Sequence, residues 1–346
     1  MENPSNLREL DESSLRQSPR CATILIMAKS CGRFATTFLI SLVVPSLWGQ
    51  AQSEASADKT PAHVYQEVAL LRAELELIRL EMGKGEVETP PFRVEKAEPR
   101  EVYFQALTLF QKANRLAFEH THEQIDKPKP PQGGIAPKHV FMVVTAALER
   151  VRTVKTALGI SDEAEAPAID AAKEPSDVFN SIVSANRELN RLLDRKYAPG
   201  DVYQEVTLAI AYLSRLLDSP GEVSSPPEPP TFERRKRPED VYEKLVGCFG
   251  EVRAIGEMSG VPMLNLLVEA DQIAGAEPSD VYDIAALLVS ELDHLHTESG
   301  EAAPPRKVFN PGRKLPSHVY QRIGIVCSQM EQLLRKVEEN PDWLKD

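Results

Sequence analysis

The chain is poor in the residues and patterns that usually carry chemistry. It has 17 glycines in 346 residues, and no Gly-rich Walker loop to cradle a phosphate is among its motifs. Neither GxSxG nor HExxH occurs, which excludes the nucleophile elbow and the zinc-protease helix. Cysteine is scarce too, with four residues. No CxxCH is present for covalent haem and no paired CxxC for zinc. Positive charge falls short of negative by 12, which argues against nucleic acid or an anionic membrane as the main partner. The dense basic run, Arg234, Arg235, Lys236 and Arg237, lies in a Pro-rich stretch and reads as a solvated loop. Catalytic residues need not form a local motif, but these absences together point to a non-enzymatic protein, and no cofactor is predicted.

Long apolar runs are also missing. Phe34 to Trp48 is fifteen residues and contains Pro45, short of the ~20 that a transmembrane helix needs. Lys29 and Arg33 flank its start, and small residues such as Ala55-Ser56-Ala57 follow. That is the charged, apolar and cleavable order of an export signal. Met27 stands where such a signal begins, so residues 1–26 read as an upstream extension and residues 27–57 as the signal and the start of the mature chain. An uncleaved N-terminal anchor is the alternative. Beyond residue 53 the chain holds 35 basic and 48 acidic residues. The expectation is an exported protein of the bacterial periplasm, with no transmembrane segment in the mature chain.

Proline is plentiful, and its placement organises the rest. Eight times a proline precedes an acidic residue or histidine, then Val, then Tyr or Phe, at the head of an apolar-periodic run. The valines are Val64, Val102, Val140, Val178, Val202, Val241, Val281 and Val319, spaced 38, 38, 38, 24, 39, 40 and 38 residues apart. A period this long marks one supersecondary unit copied many times. The single short interval divides the array into two groups of four, whose first members read HVYQEV at 63–68 and DVYQEV at 201–206. We therefore expect an all-α fold, a tandem duplication of a four-helix module, with domains at 58–198 and 199–339 and a tail at 340–346.

Each unit begins as a helix should. Proline suits the first helical position because its missing N–H would be unpaired there. The third helical position is Asp or Glu in five units, where a carboxylate gains about 0.3–1 kcal/mol from the helix dipole. Apolar residues then recur at helical period, as at Val68, Leu71, Leu75 and Ile78 in the first unit, which gives one buried stripe per helix. The links are long and proline-rich, where antiparallel neighbours need only ~2–8 residues. A link of ~14 residues can span ~45 Å, enough to run back along a helix, so parallel helices with extended return straps are the economical arrangement. An antiparallel bundle with long loops is the other. Residues 261–270 look like a short amphipathic helix.

Three sets of residues are candidates for function. If the helices are parallel, His63, Glu101, His139 and Asp177 share one end of the first module and have the ligand types of a divalent metal site. Simple helix-start electrostatics explains them equally, and Asp201, Asp240, Asp280 and His318 hold the same places in the second module. The aromatic slot after the valine holds Tyr65, Tyr103, Phe141, Phe179, Tyr203, Tyr242, Tyr282 and Tyr320. It could bind a ligand or simply plug the bundle end, each hydroxyl bonding a neighbouring strap. Cys248 and Cys327 fall at matched places in the sixth and eighth units and could form a disulfide in an oxidising compartment or remain two buried thiols. Repeat arrays mostly present surfaces to partners, so the expected role is binding or scaffolding in the cell envelope with a protein partner. A ligand, metal or cofactor carrier or sensor domain, using the bundle interior or the clustered helix starts, is the alternative. The sequence does not fix an oligomeric state.

Overall fold

The computed structural model of the protein describes residues 59–86, 93–131, 133–218, 226–300 and 303–344. The segments read above as an N-terminal extension and an export signal lie outside them. The described residues form an all-α fold of nine helices: α1 (Pro61–Glu81), α2 (Pro99–Thr121), α3 (Pro137–Ala157), α4 (Pro175–Leu192), α5 (Pro199–Leu217), α6 (Pro238–Ser259), the short α7 (Ala270–Ala274), α8 (Pro278–Glu298) and α9 (Pro316–Glu339). Two three-residue strands, β1 (Arg93–Glu95) and β2 (Asn265–Leu267), complete the elements. Every long helix begins at the repeat proline, which supplies a helical φ and gives up an N–H that no intrahelical carbonyl would accept.

The long helices pack in two sets of four. In the first, α1 and α2 each lie against α3 and α4; in the second, α5 and α6 each lie against α8 and α9. Consecutive helices such as α1 and α2, or α5 and α6, therefore occupy opposite corners of a bundle. Within a set all four helices run parallel. Pro61, Pro99, Pro137 and Pro175 line one dimple on the first bundle axis together with Val64, Val102, Val140 and Val178. The second set repeats this with Pro199, Pro238, Pro278 and Pro316 and their four valines. Each strap within a set thus travels a whole helix length back to the start of the next helix, at a diagonal corner after α1, α3, α5 and α8 and at an adjacent one after α2 and α6, which accounts for its length and extended, proline-rich character. The eight valines are buried, and burying one side chain of this size contributes about 1.5–3 kcal/mol.

The two bundles lie side by side in opposite directions within one compact unit, Ala57–Asp346. Arg100 meets Glu291 and Lys112 meets Asp283, so numbers rise along α2 as they fall along α8. The link from α4 to α5, residues 193–198, is accordingly a tight reversal and not a continuation of one rod. A second connection joins the straps: β1 pairs antiparallel with β2, Val94 opposite Leu266. Here the structure corrects the expectation of a helix over 261–270. Pro262 disfavours helical geometry at Val261, residues 265–267 pair as a strand, and the helix α7 starts only at Ala270. Among the described residues no helix is long and apolar enough to cross a membrane.

Candidate functional site

The eight third-position side chains all do the same local work. Each turns back and accepts a hydrogen bond from the backbone N–H of its own N-cap residue. Asp177, Asp201, Asp240 and Asp280 do so with a carboxylate oxygen at 2.7–3.0 Å, and Glu101 does so from the Glu98 amide. His63, His139 and His318 do so with Nδ1 at 3.0–3.3 Å. Asp, Glu and His share the slot because each carries an acceptor that reaches one free N–H at the helix start. An Nδ1 that accepts keeps the ring proton on Nε2. The metal set suggested by the sequence is therefore not assembled. His63, Glu101, His139 and Asp177 each close on a separate N-cap instead of converging. Among the described residues, the one group of three or more His, Cys, Asp or Glu whose ligand atoms lie within 4.8 Å of one another is Cys248, Glu251 and Cys327. His139→Ala is expected to cost about 1 kcal/mol, and His139→Asp less than about 0.5 kcal/mol, in denaturant unfolding. Equal losses in both variants would show that the ring does more than cap.

The helix starts do not form an anion site either. Each axial dimple has room for about 10 Å³ and is lined only by the four prolines and four valines. That is the scale of one water, and proline at the first position removes the N–H that would face an anion.

The aromatic slot divides by position. Tyr103, Phe179, Tyr242 and Tyr282 are buried, whereas Tyr65, Phe141, Tyr203 and Tyr320 are partly exposed. Each partly exposed ring is covered by a lysine two residues before the proline of a neighbouring helix. Lys59 lies over Phe141, Lys173 over Tyr65, Lys314 over Tyr203 and Lys236 over Tyr320, at 4.0–4.7 Å from the centroid. Where the ring is interior, as at Tyr282, the covering residue is Tyr197, with centroids 4.2 Å apart. The slot therefore plugs the bundle end, and cation–π contacts hold down its open sides. The buried hydroxyl of Tyr103 reaches a strap, donating to the carbonyl of Lys129 at 3.2 Å.

Cys248 on α6 and Cys327 on α9 do come together, as free thiols with sulfurs 3.4 Å apart. Glu251, one turn along α6 from Cys248, is next to them. Its buried Oε2 has no hydrogen-bond partner, and burial followed by the charge of Glu331 raises its carboxyl pKa. The repeat pattern does not single out Glu251; the signal available in the sequence was its place three residues after Cys248, on the same helix face.

The roomiest cavity described, about 360 Å³, lies beside α2 and the strap that follows it. Phe110, Gln111 and Asn114 face Ile125, Asp126 and Lys127 there. The Asn114 amide is already committed to the backbone of Ile125, at 2.8 and 3.3 Å, so it fixes the strap and offers a ligand little. On the strap before α9, Val308 and Phe309 stand out as exposed apolar residues, 59% and 72% accessible. No protein-family model matches this sequence, and no curated protein or solved structure matches it.

Proposed function

We propose that the protein is a non-enzymatic binding or scaffolding component of the bacterial cell envelope, exported to the periplasm, with another protein as its partner. The observation that carries this reading is the contrast between a filled interior and an apolar strap. The axial dimples hold about 10 Å³ apiece and carry no Tyr or His lining, which leaves no room for a carrier's ligand among the clustered helix starts. The strap before α9 instead presents Val308 and Phe309 to solvent, and Phe232 on the strap before α6 is 40% exposed. Exposed apolar residues grouped on an ordered, partly extended segment suit a protein contact better than water.

The test places a photo-crosslinking amino acid at Phe309, and separately at the exposed Glu338 of α9, in cells of the source bacterium. A discrete protein adduct from position 309, found in the periplasmic fraction, absent from position 338 and lost on Val308→Asp, is the expected result. No adduct from 309, or the same ladder from both positions, would remove the basis for a strap-borne partner site. Recovery of the protein solely in the cytoplasm would remove the proposed location.

A further inference from the structure

Two packed helices each carry a cysteine with a glutamate one turn on. On α6, Cys248 and Glu251 are three residues apart; on α9, Cys327 and Glu331 are four apart. Both spacings place the pair on one face of its helix, and α6 packs directly on α9. The result is two sulfurs 3.4 Å apart with a carboxylate oxygen of Glu251 close by, all three donor atoms within 4.8 Å of one another. The Oε2 of the same carboxylate is buried and has no hydrogen-bond partner. An unsatisfied buried carboxylate oxygen costs stability, and a cation between it and the sulfurs would satisfy it.

We propose that Cys248, Cys327 and Glu251 bind a thiophilic divalent cation, with zinc the ion that suits this donor set, and leave a fourth coordination position open. Thiolate and carboxylate are both zinc ligands, and three protein ligands with an open position describe an accessible site and not a closed structural one. Cys327 is only partly buried, which gives the ion a path in. Geometry favours coordination over a direct sulfur–sulfur bond. Tetrahedral zinc with ~2.3 Å bonds places its sulfurs ~3.8 Å apart, so the thiols need to open by only about 0.4 Å. A disulfide of ~2.05 Å requires them to close by about 1.3 Å.

Two thiolates and the Glu251 carboxylate would carry three negative charges, of which a divalent cation offsets two, with the Lys244 ammonium and the Glu331 carboxylate as the further charges nearby. Lys244 faces the pair from one turn before Cys248, its ammonium 4.0 Å from the Tyr320 ring. On binding, both thiol protons leave to solvent and two metal–sulfur bonds form, with no change of oxidation state.

The test uses the full chain, reduced and freed of reductant, titrated with Co²⁺ alone and then with Zn²⁺. One Co²⁺ per chain, a thiolate-to-cobalt charge-transfer band in the near ultraviolet and its displacement by Zn²⁺ are expected. Cys327→Ser should abolish the band. Glu251→Gln, at a half-exposed position and so the safer variant for folding, should weaken Co²⁺ binding by at least about tenfold. Helical circular dichroism without metal checks that both variants are folded. Three results would overturn the proposal: no band in the reduced chain, a band and affinity unchanged in Glu251→Gln, or a two-dalton mass deficit forming while Co²⁺ is in excess. The last would assign the sulfurs to a disulfide.

Discussion

Lys112→Met is expected to lower the unfolding free energy by about 3–5 kcal/mol. Lys112 has no exposed surface, and its ammonium lies 2.6 and 2.7 Å from the two carboxylate oxygens of Asp283 across the surface between α2 and α8. Burial lowers the lysine pKa and raises that of Asp283, in each case against the attraction of the partner. Both charges are therefore held out of water mainly by each other. Methionine fills the space of the lysine stem but leaves the Asp283 carboxylate buried beside Asp280, with Arg187 as the remaining nearby cation. Removing both partners is a different matter. Lys112→Met with Asp283→Leu should recover most of the loss, since apolar replacements of similar volume avoid the desolvation of two ions. Guanidinium unfolding at pH 7, followed by helical circular dichroism, measures both. A single variant within about 1 kcal/mol of the parent, or a double variant no better than the single, would show that the orphaned charge is not what destabilises it.

How much of this was readable beforehand follows from what each residue touches. Proline, valine and aromatic at a fixed period announced eight helix starts, and the strap length made parallel helices the more economical of two arrangements. Both are local or near-local facts about the chain. The role of the third position was half legible. Asp and Glu suggested a dipole effect, but His63, His139 and His318 have no negative charge. The property the three residue types share is an acceptor within reach of the N-cap N–H, and that mixture was the available clue. The lysines two residues before Pro61, Pro175, Pro238 and Pro316 were visible in the sequence, yet the ring each covers sits on a different helix. The contact between bundles was the least legible part. Lys112, Asp283, Arg100 and Glu291 look like solvated charges on one helix face, because an amphipathic pattern reports one buried face and α2 and α8 have two. The run Val102 to Phe110, where even Gln105 and Thr108 are buried, was the sign that α2 lies at the centre.

The second of those central pairs predicts a loss that depends on pH. Arg100 donates two hydrogen bonds to Glu291, both at 3.1 Å, and one to Glu101 at 2.8 Å, and both carboxylates are buried. One guanidinium thus serves two carboxylates in a dry site. Burial is the main cause that pushes the Glu101 pKa from 4.5 up to about 7, with the charge of Glu291 adding and that of Arg100 opposing. A carboxyl whose folded value lies above its unfolded one holds its proton better in the folded state. Its ionisation therefore takes stability away as pH rises from about 4.5 through about 7, the reverse of an ordinary surface ion pair. Glu101→Gln should flatten that decline and leave the protein about 1–3 kcal/mol more stable at pH 8. The amide oxygen can still accept the Glu98 N–H that Glu101 accepts now. Arg100→Ala should do the opposite, costing about 3–5 kcal/mol at pH 8, where Glu101 is ionised and loses its counter-charge. Its cost at pH 5 should be smaller by at least about 1 kcal/mol, because Glu101 is then protonated and needs no counter-charge. Unfolding of the three chains at pH 5 and pH 8 decides the matter. An Arg100→Ala loss that is the same at both, together with an unchanged slope in Glu101→Gln, would place the missing charge compensation elsewhere in the cluster.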